Sequence, residues 1–185
     1  QCSLLSKFLS EKKIPNIVLA EPTKGIWGMK IRRVLSEGRE GISPKEELSW
    51  FVNDRKEDIS KNIMPALLDN NVVIMDRYYF STAAYQGALG LNPEDIRTEN
   101  ENFAPIPDRV LIFLTSPDVC LERIESSRDQ KSAFEKIEYL QNVETIFKSF
   151  VGPNISFINS IGSVSEVHKK VLTEVKDIFN FVLKK

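Results

Sequence analysis

Four short runs of contiguous apolar residues constrain this chain more than any other feature. They are Asn16-Ile17-Val18-Leu19-Ala20, Val72-Val73-Ile74-Met75, Arg109-Val110-Leu111-Ile112-Phe113-Leu114 and the weaker Ile155-Ser156-Phe157-Ile158. A strand without polar alternation has to be covered on both faces, which is the condition met by a parallel sheet between helices. Stretches with helical spacing fill the intervals, at about Gly28–Ser36, Pro44–Asp69, Ser81–Gly87, Pro117–Ser127, Phe134–Phe150 and Ser163–Leu183. Leu4, Leu5, Phe8 and Leu9 place a further helix at the start. Ser43-Pro44 and Ser116-Pro117 have the form of helix starts: a capping hydroxyl, then a proline whose missing N–H costs nothing there. Strand and helix alternate throughout, so the expected fold is α/β, a single three-layer domain over residues 1–185 with a parallel sheet flanked by helices.

Composition narrows the function classes. With 42% hydrophobic and 28% charged residues, the chain belongs with globular proteins and has no apolar run of membrane-spanning length. A formal net charge of −1 offers no basic excess for nucleic acid. Cys2 and Cys120 have neither metal-ligand nor redox spacing, which fits a reducing cytoplasm. His168 lies beside Lys169 and Lys170 without a triad partner and reads as surface, whereas Trp27 and Trp50 read as packing residues.

In open parallel sheets, ligands sit beyond the carboxyl ends of the strands. The second run ends in Asp76-Arg77-Tyr78-Tyr79-Phe80-Ser81. Such an acid and guanidinium either hold a magnesium ion and grip a phosphate, or form an ion pair that fixes the strand end. The first run ends in the turn Glu21-Pro22-Thr23-Lys24-Gly25, which presents Glu21 and Lys24 at the same edge; Lys24 fits a solvated connector better. On the long helix, Phe51 and Arg55 are four residues apart and share a face. They could stack on a base and bond its edge, but spacing alone favours Phe51 in the core and Arg55 paired with Glu47 or Asp58. The polar stretch from Arg123 to Ser132 is either a lid that closes cations over phosphates or a solvated loop.

Together these segments resemble the thymidylate kinases. The likeness rests on Glu21-Pro22-Thr23 with Gly28 and Ile31-Arg32, on Phe51-Val52-Asn53-Asp54-Arg55, and on the block from Asp76-Arg77-Tyr78 to Tyr85-Gln86-Gly87. It continues through Pro107-Asp108-Arg109 with its strand, Phe134-Glu135 and Tyr139-Leu140, in order over nearly the whole chain. The resemblance implies a P-loop kinase fold and transfer of a phosphoryl group from ATP to dTMP, with Mg²⁺. Phe51 would stack on thymine, Arg55 would bond its polar edge, and Glu21 would belong to the same substrate-binding set. Arg77 would hold the acceptor phosphate and Asp76 the Mg²⁺ network. Tyr85 would favour a deoxyribose, and Gln86 would contact the nucleoside. Arg123 and Arg128 would cover ATP from a lid at about 123–135, with Asp76, Arg77 and Arg128 serving the chemistry. A homodimer is implied as well, with neither nucleic acid nor membrane as a partner. The rival readings are a kinase for another nucleotide or a deoxynucleoside, or a non-catalytic nucleotide-binding protein.

Two departures from the family pattern stand out. Ala20 occupies the place where an arginine often precedes the Glu-Pro pair, with Lys24 a candidate replacement. No Gly-x-x-x-x-Gly-Lys-Ser/Thr occurs, and the sequence begins at Gln1. The expectation is a chain incomplete at its N-terminus, lacking about 15 to 20 residues with a central strand and the phosphate-binding loop. In that form it would be inactive and of low stability, since that loop cradles the ATP phosphates.

Overall fold

The structure is a computed structural model and describes residues 1–115 and 133–182, with backbone alone for 133–136 and 180–182. The elements run α1 (Cys2–Glu11), β1 (Asn16–Ala20), α2 (Ile26–Glu37), α3 (Pro44–Asp58), a π-helical turn (Ile59–Ile63), α4 (Met64–Leu68), β2 (Val72–Asp76), α5 (Tyr79–Gly87) and α6 (Pro93–Glu101). After these come β3 (Val110–Leu114), α7 (Ala133–Ser149), β4 (Ile155–Asn159) and α8 (Val164–Val182). They fall into two compact units, Cys2–Ile106 and Pro107–Lys185, the latter taking in Gln1.

In the unit Cys2–Ile106, β1 and β2 pair in parallel from Asn16↔Val72 to Ala20↔Asp76. The Glu21 N–H extends the ladder by donating to the Asp76 carbonyl at 3.1 Å. This register brings the carboxyl ends of both strands, and so the Glu21 turn and the Asp76-Arg77 tip, side by side. Leu5 and Leu9 of α1, Ile31 and Val34 of α2, and Ile74 of β2 are buried apolar side chains of this unit.

The helix that the sequence predicts from Pro44 to Asp69 runs without interruption from Pro44 to Leu68, but its hydrogen bonding changes to a π-helical turn over Ile59–Ile63. Pro65 has no N–H for the Lys61 carbonyl and its ring crowds that position, so the helix widens just before it. The Met64 N–H accordingly reaches back to the Ile59 carbonyl. Helix α6 was not anticipated. The Asn92 side chain accepts from the Glu94 N–H at 3.0 Å, Pro93 follows the cap, and Glu94 and Asp95 favour the positive end of the helix.

In the second unit, β3 and β4 pair in parallel from Val110↔Ile155 to Leu114↔Asn159. Val167, Val171, Val175 and Phe179 form the buried stripe of α8 at four-residue spacing. Asn154 Nδ2 donates to the Pro107 carbonyl at 2.8 Å, and Ser160 Oγ to the Leu114 carbonyl at 3.0 Å. Among the described residues, no helix is long and apolar enough to cross a membrane. The predicted helix Pro117–Ser127, Arg123 and Arg128 lie outside the described residues, as does all but the end of the predicted lid.

Candidate active site

Helix α3 buries charge where an ordinary amphipathic helix buries apolar side chains. Its buried residues are Glu47, Val52, Asp54, Arg55 and Asp58. Removing so many ionic groups from water is unfavourable unless each finds a partner. Their partners are what organise the site.

Arg55 is the centre, with a side chain only 1% exposed. Its Nη2 donates to Glu21 Oε2 at 2.5 Å and to Thr82 Oγ1 at 2.9 Å. Its Nη1 donates to Asn100 Oδ1 at 2.6 Å. The ring of Tyr78 lies 5.2 Å from the guanidinium carbon, which adds a cation–π contact. A guanidinium carries five N–H groups. The three bonds above leave two uncommitted, and Nε is among them, buried without a partner. The pairing of Arg55 with Glu47 or Asp58, favoured by local spacing, does not occur. Glu47 is instead held by Arg39, at 2.8 Å and 3.3 Å to its two oxygens, and Arg55 turns to Glu21, 34 positions away in the chain.

Glu21 is buried as well, though less completely than its partner. Burial pushes its carboxyl up to about 7, against the pull of the adjacent Arg55. Burial likewise raises Asp58, whose Oδ1 accepts from Asn62 at 2.6 Å while Oδ2 has no partner. Glu21 Oε1 is also unpartnered.

Asp54 fixes the turn that carries Glu21. It accepts the Thr23 N–H at 2.7 Å and the Thr23 hydroxyl at 2.6 Å, while Thr23 Oγ1 accepts the Gly25 N–H at 3.0 Å. Arg32 reaches the Pro22 carbonyl. Gly28 packs so tightly that a Cβ there would overlap the Thr23 backbone, which explains the need for glycine in the first turn of α2. The peptide bond between Glu21 and Pro22 is cis. Lys30 sits over the half-buried rings of Trp27 and Trp50, at 5.0 and 5.4 Å.

The strand tip is built differently. Asp76 and Arg77 are both exposed, and no ion pair joins them. The reading of this pair as a structural salt bridge is therefore excluded. Arg77 has φ 69, a left-handed conformation that is unfavourable for a residue with a side chain. Such strain persists only where the surroundings impose it, and it clusters at functional sites. Its guanidinium lies 5.2 Å from the Tyr85 ring. Tyr85 is half-buried on α5, and its neighbour Gln86 is fully buried with an unpartnered Oε1.

The structure thus brings Glu21 to Arg55, and Arg77 to Tyr85. Phe51 lies one turn before Arg55 on α3 and is half-buried, not sunk in the core. Lys24 is exposed. Sequence reasoning assigns no site role to Thr23, Asp54, Thr82 or Asn100, although Thr23 and Asp54 stand within the motifs that carry the family likeness.

Parallel strands whose carboxyl ends carry polar and charged groups side by side define the ligand edge of an α/β protein. Comparison with known proteins narrows that class. The thymidylate kinase family profile matches residues 1–171. A thymidylate kinase from Desulfotalea psychrophila is 40% identical over 179 residues, covering 96% of this chain and 88% of its own length. One from Akkermansia muciniphila is 40% identical over 167 residues, covering 90% and 80%. A probable thymidylate kinase from Archaeoglobus fulgidus is 36% identical over 176 residues, covering 95% and 87%. The chain belongs to the thymidylate kinase family, whose fold is that of the P-loop kinases.

Proposed function

We propose that the protein phosphorylates dTMP, taking the γ-phosphoryl group of ATP to give dTDP, with residues of α3, β2 and α5 holding the nucleotide. The observation that carries this reading is the half-satisfied guanidinium of Arg55, one helical turn from the half-buried ring of Phe51. Two free N–H groups held in place suit a pyrimidine carbonyl, and the ring suits stacking on the base. Family membership and relatives named as thymidylate kinases support the same substrate.

Arg77 is the group for the acceptor phosphate. Its exposed planar fork has no ion-pair partner among the described residues, so a phosphate can take both of its parallel N–H groups. Tyr85 sets the direction of that fork and closes the sugar's 2′ side, while Gln86 keeps an open acceptor for the nucleoside. Such positioning accounts for most of the catalysis in phosphoryl transfer. A phosphate monoester is largely ionised near neutrality, so the acceptor oxygen needs no strong base.

The Asp76 carboxylate is exposed and takes no hydrogen bond from the described residues, and no acidic cluster there forms an all-protein metal cage. That donor set fits Mg²⁺, which prefers one or two carboxylates with water and substrate phosphates. When bound, Mg²⁺ would neutralise charge on the transferred group. Arg123 and Arg128 would add cationic groups over ATP. A homodimer fits the apolar side chains exposed at Ile26 and Met29 on α2 and at Met64, Leu67 and Leu68 around α4. The two unpatterned cysteines fit a cytoplasmic enzyme, and the acid–base balance gives nucleic acid no general purchase.

Calorimetric titration of the full-length protein with dTMP, dUMP, dGMP and dCMP tests the substrate assignment. Tightest binding of dTMP is expected; weakest binding of dTMP among the four would refute it.

A further inference from the structure

We propose that Asn100 is a positioning residue, which sets the rotation of the Arg55 guanidinium and with it the enzyme's preference for a base over a bare sugar phosphate. This rests on the role given to Arg55 above. Glu21 and Thr82 both hold the same corner of the fork, Nη2. A planar group pinned at one corner can still swing about that corner, carrying Nε and the free Nη1 hydrogen away from a fixed direction. The second pin is Asn100, whose Oδ1 takes Nη1 at 2.6 Å.

Asn100 is suited to this role by its own surroundings. It is 0% exposed, so water cannot replace it as the acceptor. Its Nδ2 donates to the Ile96 carbonyl at 2.7 Å, which leaves only the oxygen of the amide to face Arg55. Helix α6, which presents it, is tied to α5 through Tyr79, whose hydroxyl meets Glu101 Oε1 at 3.4 Å, and Arg97 holds that carboxylate at 3.0 Å. Asn100 touches no substrate in this scheme. It acts 45 positions away along the chain, through Arg55.

The test titrates the full-length wild-type protein, Asn100→Leu and Asn100→Ser with dTMP and with 2-deoxyribose 5-phosphate, which has no base. Wild type should prefer dTMP; if it binds both equally, the role given to Arg55 fails, and this inference with it. If wild type shows the preference, both variants should bind dTMP about tenfold more weakly and the sugar phosphate unchanged, since one pin is worth roughly one hydrogen bond to a charged group. In turnover, KM for dTMP should rise while kcat and KM for ATP hold. Asn100→Asp, which keeps an oxygen toward Nη1, should recover most of the preference. Equal weakening toward both ligands, or dTMP binding unaltered in a folded variant, would overturn the proposal.

Discussion

Arg55 and Arg77 belong to the same half of the molecule and are maintained in opposite ways. Arg55 is sealed from water, committed through three of its N–H groups, and backed by Tyr78. Arg77 is exposed, strained in its backbone, and touches Tyr85 without an ion-pair partner among the described residues. The first is ordered at the cost of desolvation, which folding has already met, so its remaining donors have a fixed direction. The second, in the proposed site, keeps its charge available for a dianion, and its backbone is strained. Reading a neutral base edge calls for fixed donors, and gripping a phosphate calls for available charge. The proposed site divides these tasks between the two arginines.

The contrast breaks most readily at Arg55. Arg55→Ala strands the Glu21 carboxylate in the interior, so chemical denaturation should show a loss of about 3–5 kcal/mol. A loss within experimental error would mean that the buried cluster does not hold this unit together. Arg77→Ala should do the reverse. It should lower kcat/KM for dTMP about 100- to 1000-fold, the effect typical of removing one charge-stabilising donor, while the melting temperature stays put. A large thermal shift with activity retained would invert the roles assigned to the two residues.

A smaller effect is expected one layer back. Asp54→Ala leaves the Thr23 N–H without its acceptor and frees the Glu21 turn. Stability should fall by about 1–3 kcal/mol, with no specific loss of phosphate affinity.

The smallest effect sharpens the electrostatics of the buried end. The folded pKa of Glu21 is about 7, above its ordinary value of 4.5, so the folded state holds that proton more tightly than the unfolded chain. The stability this provides is fully present below 4.5 and is lost as pH rises through about 7. Asp58 is raised also and acts in the same direction. Denaturation curves of Glu21→Gln across this range should therefore show a flatter pH dependence than wild type. An unchanged slope would assign the titration elsewhere.

The strands were legible because their residues are contiguous and apolar, so burial on two faces follows without knowledge of their neighbours. The tip residues Asp76 and Arg77 were legible for the same reason, as polar groups at the end of such a strand. What could not be read was pairing. Local spacing offered Glu47 and Asp58 to Arg55, but the tertiary fold chose Glu21, Thr82 and Asn100, each far along the chain. Helix α6 escaped because Ile96 is its only large apolar residue, too little for periodicity to register, although Asn92-Pro93 resembles the Ser43-Pro44 start that was recognised. Asn100 was hidden with it. The π-turn before Pro65 was foreshadowed by the proline itself, which cannot continue an ordinary hydrogen-bond ladder.

The division of labour between the two arginines is tested most directly by a crystal structure of the full-length protein with dTMP. The phosphate is expected against the Arg77 guanidinium, the thymine on the Phe51 ring, and a pyrimidine carbonyl within hydrogen-bond reach of Arg55. A nucleotide bound with its phosphate at Arg55, or with its base away from Phe51, would contradict it.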